Sequence, residues 1–184
     1  MLKKMSDVAR EIEQTLNRTS YREQTALAQA ILRANRIFVS GAGRSGLMAR
    51  CFAMRLMHMG FQAYMVGEVV TPSIGAGDLL IVASGSGTTG SLARIAEKAI
   101  SLGAELAVVT ICPEGIIGSM ASVTVKIDAP VCKTGDQQQP GSIQPMANLF
   151  EQCLLICLDY VVMILMDMTG VTSEQMYRRH ANLE

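Results

Sequence analysis

The chain has 184 residues, which sets a single domain, residues 1–184, as the expectation. Its 16 basic and 16 acidic side chains cancel, and it has four Phe, four Tyr and no Trp, so it offers neither the field nor the stacking platforms of a nucleic-acid binder. A composition 49% hydrophobic and 17% charged points to further burial between subunits.

Residues 1–34 read as an N-terminal helical segment. From Ser6 to Ala34, Val8, Ile12, Leu16, Leu27, Ile31 and Leu32 fall near helical spacing, with no Gly or Pro. The charged, amphipathic start lacks the apolar centre of a signal peptide. Short apolar runs then alternate with helical ones. Arg36–Ser40 predicts a strand, Leu47–Gly60 a helix stopped by glycine, and Phe61–Val66 a second strand. Leu79–Ala83 is a third strand, and a helix follows from about Thr89 to Leu102. Glu105–Thr110 and Val123–Ile127 complete five. Alternating strands and helices predict an α/β fold, a five-stranded parallel sheet covered by helices on both faces. The common strand order 2-1-3-4-5 is the one expected.

Residues 129–144 are polar and rich in Gly, Pro and Gln, long enough for a lid or cover. C-terminal helices occupy residues 145–184, the first from about Pro145 to Met168, with proline in its first turn. Its apolar part, counted from Cys153, falls short of the ~20 residues of a membrane span and carries Asp159 and Asp167. The expectation is a buried helix in a cytoplasmic protein with no membrane partner. The five cysteines form no C-x-x-C pair. Cys153 and Cys157 share a helix face as buried thiols of a reducing compartment. With only His58 and His180 as histidines, no metal site is expected.

Two loops carry the chemistry. Ser84-Gly-Ser-Gly-Thr-Thr89 ends a buried strand with four hydroxyls and two glycines. Such a stretch makes a turn and caps a helix, or it cradles an anion with backbone N–H groups, hydroxyls and a helix N-terminus. Gly41-Ala-Gly-Arg-Ser-Gly46 also follows a strand and opens a helix. In the order 2-1-3-4-5 both loops flank the crevice where ligands bind, which favours the anion. The first loop is literally G-x-G-x-x-G, with Glu68 about twenty residues on, the pattern of a dinucleotide site. That reading gives Arg44 no role and leaves little chain for a second substrate. One phosphate monoester fits better, held by Ser84, Ser86 and Thr89 with N–H groups near Gly87 and Thr88. No Lys lies in the second loop, so it is not a nucleoside-triphosphate loop.

The paired loops resemble the sugar isomerase (SIS) domain. GAGRSG, FAMRLMHMGF, S-G-S-G-x-T, QPM…LFEQ and the ending RHANLE are together similar to the 6-phospho-3-hexuloisomerase family, over Ile37 to Glu184. The resemblance implies isomerisation of D-arabino-3-hexulose 6-phosphate to fructose 6-phosphate, in formaldehyde fixation by the ribulose monophosphate pathway. It implies no metal or organic cofactor and a homotetramer, a dimer of dimers. The matching positions are Glu151 for the carboxylate base, Ser84, Gly85, Ser86, Gly87, Thr88 and Thr89 for the phosphate loop, and Ser45 for the first-loop substrate contact, beside which Gly43 and Arg44 are further candidates for binding. Where the family usually has P-M-G-[ST]-x-F-E, this chain has Pro145-Met-Ala-Asn-Leu-Phe-Glu151. Ala147 thus adds a methyl where a glycine permits close approach.

Moving a carbonyl between neighbouring carbons needs one base to take a proton from carbon and return it next door, through an enediol. Glu151, beside Phe150 in an apolar helix, fits that task. It equally fits a glutamate placed at a helix N-terminus by the dipole. His180 is the expected acid–base partner on the substrate oxygens, from its own or a neighbouring subunit, and His58 reads as structural. Arg44 neutralises phosphate or stabilises enediolate charge. Two other classes stay open: a phosphosugar sensor, against which stands the lack of a DNA-binding segment, and an isomerase of another phosphosugar.

Overall fold

The computed structural model describes residues 4–130 and 141–183. Of the segment expected to form a lid, residues 131–140 lie outside the described residues, as does Cys132.

Two helices open the chain where one run was expected: α1 (Met5–Leu16) and α2 (Tyr21–Arg33). The break falls at Asn17 to Ser20, residue types that compete with a helix and favour its ends. Ser20 caps α2 by accepting the Glu23 N–H. The sheet follows as β1 (Ile37–Gly41), α3 (Gly43–Met59), β2 (Ala63–Met65), β3 (Leu79–Ala83), α4 (Gly90–Ser101), β4 (Glu105–Thr110), α5 (Ile116–Met120) and β5 (Val123–Lys126). All strand pairs are parallel, in the order β2-β1-β3-β4-β5. The sequence reading of five parallel strands in this order is borne out. It missed α5, a single short turn.

Side-chain alternation along the strands divides the core. Ile37, Val39, Leu79, Ile81, Ala107 and Val109 face α2, α3 and a long helix α6 (Asn148–Thr169), with α1 packed at its edge. Phe38, Leu80, Val82, Leu106 and Val108 face α4 and α5. Because both faces are covered, β3 is buried along its whole length. The crossover from β2 to β3 carries no helix. Beneath it lies a cavity of about 460 Å³ lined by Phe38, Val66, Ile74 and Leu80, with Arg94 and Lys98 of α4 at its edge.

α6 corrects two expectations. It begins at Asn148, not Pro145, which closes a turn by accepting the Asn148 N–H at 3.2 Å. At 22 residues and a mean hydropathy of 2.0 it is long and apolar enough to cross a membrane, so the length argument from Cys153 does not hold. Its burial is what places it: 61% of its most apolar window is covered within this protein. Cys153 and Cys157 are buried free thiols, and burial pushes Cys153 up to about 12. A short helix α7 (Ser173–Tyr177), capped by Thr172, is the last helix of the described residues.

At the opposite end of the strands from the loops, Asp78 is 2% exposed and pairs with Arg36 through two bonds of 3.0 and 2.7 Å. It also accepts the Gly75 N–H at 2.8 Å. Burial alone would raise its carboxyl, but the Arg36 and Gly75 bonds outweigh burial and hold it below its usual range. A carboxylate so held stabilises the fold above about pH 4, and the contribution fades as pH falls through its lowered folded value. Asp78→Asn should therefore cost about 2 kcal/mol at pH 7, lowering Tm by roughly 5 °C. Thermal unfolding from pH 7 to pH 3 should show the gap between variant and wild type close below about pH 4. An equal gap at every pH would show that the charge of Asp78 is not what stabilises.

Candidate active site

β1 and β3 run side by side, with Gly41 opposite Ala83, so the loops after them leave the sheet together. α3 turns to one face and α4 to the other, which makes this the switch point of the sheet. The glycines of the first loop have separate jobs. A Cβ on Gly46 would stand 2.5 Å from the Gly41 carbonyl oxygen, so the two glycines let β1 and α3 touch. Gly43 has a φ of +55°, which glycine adopts without strain. Gly43 and Arg44 are exposed and Ser45 is half-buried, all in the first turn of α3.

In the second loop, Ser84 is buried and its Oγ accepts the Gly87 N–H at 3.2 Å. Ser86 Oγ accepts the Thr88 N–H at 3.3 Å. These two N–H groups, expected to face an anion, are thus engaged inside the loop by its own serines, the turn such residues favour. Gly87 sits at φ +62°, where a Cβ would meet the Cys112 carbonyl oxygen at 3.0 Å. The donors turned to the crevice are of another kind. Neither Ala42 ahead of α3 nor Thr89 ahead of α4 caps its helix with a side chain. Two helix N-termini, each with partial positive charge, therefore meet at one place, with the exposed hydroxyls of Ser86 and Thr88 and the half-buried Thr89 beside them.

The third wall is the first turn of α6. Phe150 packs on the second loop at Gly85, where a Cβ would stand 3.1 Å from the ring. Glu151 follows, its side chain 12% exposed. The Arg44 Nε lies 3.1 Å from Glu151 Oε2, and an Arg44 terminal nitrogen donates to Asn148 Oδ1. Oε2 itself is buried and accepts no hydrogen bond, so the pair is one of charge. Gln152 Oε1 beside it is also buried without a partner. Ala147 takes φ −97° and ψ 16°, which alanine adopts freely, so the missing glycine causes no backbone strain there. The left-handed residue is Met146, at φ 53°. Glu11 of α1 steadies this approach by accepting from Ser142 Oγ, the Ile143 N–H and Gln144 Nε2.

Arg44, Glu151 and both loops thus converge, as expected from the sequence. His180 does not join them within one chain. It stacks on His58, ring centroids 5.4 Å apart, near the end of α3. From Arg44 to His58 is about 20 Å along the helix at ~1.5 Å per residue. His58 is 3% exposed, and burial, then the charges of Arg55 and His180, hold it below its usual range. Glu68 pairs with Arg50 and lies outside the site. Sequence reasoning missed Thr110. Fully buried at the end of β4, it donates to the Gly85 carbonyl at 3.2 Å and accepts the Cys112 N–H, fixing the second loop from below. A hydroxyl closing an apolar strand was the available signal. Among the described residues no group of three or more His, Cys, Asp or Glu side chains is placed to hold a metal ion.

Comparison with known proteins bears on this geometry. The SIS domain model matches residues 30–138. A Bacillus subtilis protein named 3-hexulose-6-phosphate isomerase is 46% identical, over 98% of this chain and 97% of its own. One of that name from Mycobacterium gastri is 41% identical, over 98% of this chain and 89% of its own. A crystal structure from Methanococcus jannaschii, for which the function of 3-hexulose-6-phosphate isomerase was inferred, superposes with a TM-score of 0.85 at 34% identity. It covers the full length of both chains.

As an anion site, the second loop makes a graded prediction. Ser86→Ala with Thr89→Ala should weaken binding of a phosphosugar about tenfold or more, since a hydrogen bond to a charged group is worth roughly 1.5–3 kcal/mol. The melting temperature should hold, because the Thr88 N–H that Ser86 Oγ accepts is exposed and can turn to water, unlike the buried Gly87 N–H. Ser84→Ala should weaken binding and also lower the melting temperature, because it removes an acceptor of the Gly87 N–H. Calorimetric titration with fructose 6-phosphate and thermal unfolding check both. Unchanged affinity in the Ser86/Thr89 double variant would refute the anion site.

Proposed function

The chain belongs to the SIS domain family, and from that membership we propose that it isomerises 3-hexulose 6-phosphate to fructose 6-phosphate. The observation that carries the proposal is the position of Glu151: a buried carboxylate beside a guanidinium, on the helix turn whose preceding residue packs on the anion loop. Binding at one end and proton transfer at the other is what a phosphosugar isomerase needs.

The chemistry follows from the parts. Ser86, Thr88, Thr89 and the N-terminus of α4 take the phosphate, with Ser84, Gly85 and Gly87 shaping the loop. Gly43 and Ser45 present the N-terminus of α3 to the sugar. Glu151 removes the proton on the carbon next to the carbonyl. The C–H electron pair becomes the C=C bond of an enediolate, and the carbonyl π pair moves to oxygen. Glu151 returns the proton to the neighbouring carbon, and the carbonyl re-forms one position along. A hydroxyl proton must also pass between the two substrate oxygens. His180 of a neighbouring subunit suits that step, since a neutral imidazole carries a donor and an acceptor nitrogen on one ring.

The same reading includes assembly as a dimer of dimers. Ile156, Tyr160 and Met163 of α6 are exposed at 44%, 41% and 57%, an apolar face that a second copy would cover. A cytoplasmic place in the ribulose monophosphate pathway of formaldehyde fixation accords with this reaction. Similarity to proteins named as isomerases over nearly the whole of this chain favours an enzyme over a sensor.

The test is direct. Purified protein with 3-hexulose 6-phosphate should yield fructose 6-phosphate, read by coupled oxidation of the product, at the same rate with EDTA present. Absence of turnover, or turnover confined to a phosphosugar of another chain length, would overturn the assignment.

A further inference from the structure

Asn148 is the first residue of α6 and Glu151 lies three residues on, so both side chains rise from one side of the helix. Arg44, from the first turn of α3, meets both. One terminal nitrogen donates to Asn148 Oδ1, while Nε stands 3.1 Å from Glu151 Oε2. The three differ in exposure. Arg44 is 54% exposed and stands at the mouth, whereas the Glu151 side chain is 12% exposed. A long side chain so open has many rotamers, and its charge attraction to Glu151 is non-directional. The directional bond that selects one of them is the bond to Asn148. The charge pair also leaves Oε2 without a hydrogen bond, so its lone pairs remain available to a proton.

We infer that Asn148 is a positioning residue that holds the Arg44 guanidinium between Glu151 and the substrate oxygen, so that one cation serves both in turn. The inference rests on the isomerase reading above. Before proton transfer the negative charge is on Glu151. When Glu151 takes the proton it becomes neutral, and the same unit of charge appears on the substrate oxygen as the enediolate. Net charge is unchanged, and Arg44 has lost one partner as the other forms. A guanidinium already fixed within reach of both needs no reorganisation at that moment, which is how preorganised donors lower a barrier. Of the two roles the sequence left open, this favours enediolate stabilisation, since Arg44 is paired at the carboxylate.

The test is a double-mutant cycle on the full-length protein with 3-hexulose 6-phosphate. Arg44→Ala should lower kcat about 10²–10³-fold, the range for loss of a transition-state donor. Asn148→Ala should lower kcat about tenfold with KM changed less than twofold. In the Arg44→Ala background, Asn148→Ala should change kcat less than twofold, because its effect passes through Arg44. A second readout needs no substrate. The Arg44 Nε–H resonance, assigned with Arg44→Lys, should shift in Glu151→Gln and move to the solvent-averaged position in Asn148→Ala. Multiplicative losses of kcat, a rise in KM alone for Asn148→Ala, or an unmoved resonance would each overturn the inference. A wild-type protein that shows the resonance changes but does not turn over the sugar would keep the held guanidinium and refute the assigned reaction.

Discussion

Phe150 rests on Gly85, and much of the site depends on that contact. A Cβ at Gly85 would stand 3.1 Å from the ring, tighter than ordinary contact, so the ring would have to give way by a few tenths of an ångström and glycine lets α6 sit this close to the second loop. The loop is itself fixed from the other side, where Thr110 and the Ile111 N–H both donate to the Gly85 carbonyl. A ring on one face of the peptide and two donors at its oxygen leave the loop little freedom. The residue after that ring is Glu151. Carboxylate and anion loop therefore hold a common register, although about sixty residues separate them in the chain. In a reaction that handles the sugar carbons while gripping a distant phosphate, that register decides which carbon meets the base.

α3 acts as a ruler between two sets of groups. Arg44 at its start belongs to the crevice, while His58 near its end stacks on His180 of the C-terminal segment. Arg179 reinforces the latter by donating to the His58 carbonyl at 3.1 Å. With the two ends about 20 Å apart, a role for His180 in proton traffic requires a second subunit. The outward apolar residues of α6, joined by Tyr21 packed edge-on against Tyr160, give such a subunit a surface to cover.

Much of this was legible in the sequence because it follows from period and punctuation. Strands that alternate with helices fix a parallel sheet, and small residues after the first and third strands mark the switch point. Gly41, Gly43 and Gly46 were readable for the same reason, as positions a side chain would strain or fill. What was not legible depends on contacts between distant segments. The partner of Arg44 could be named only once α6 was seen to start at Asn148 instead of Pro145. The engagement of the Gly87 and Thr88 N–H groups by Ser84 and Ser86 is a matter of rotamers, which a string of hydroxyls does not specify. The split of the first helical run into α1 and α2 was announced by Asn17 to Ser20, but apolar periodicity on either side masked it.

The central claim is that Glu151 moves the proton on carbon. Glu151→Gln keeps the shape of the side chain and removes its basic lone pair, and it leaves the phosphate loop intact. The decisive measurement is incorporation of solvent deuterium at C2 or C3 of the bound phosphosugar, compared with wild type at saturating ligand. The account predicts that the variant binds fructose 6-phosphate but exchanges about 10²–10⁴-fold more slowly, the range for a lost general base. Exchange at the wild-type rate would contradict it and move the base elsewhere, with His180 of a neighbouring subunit the next residue to replace.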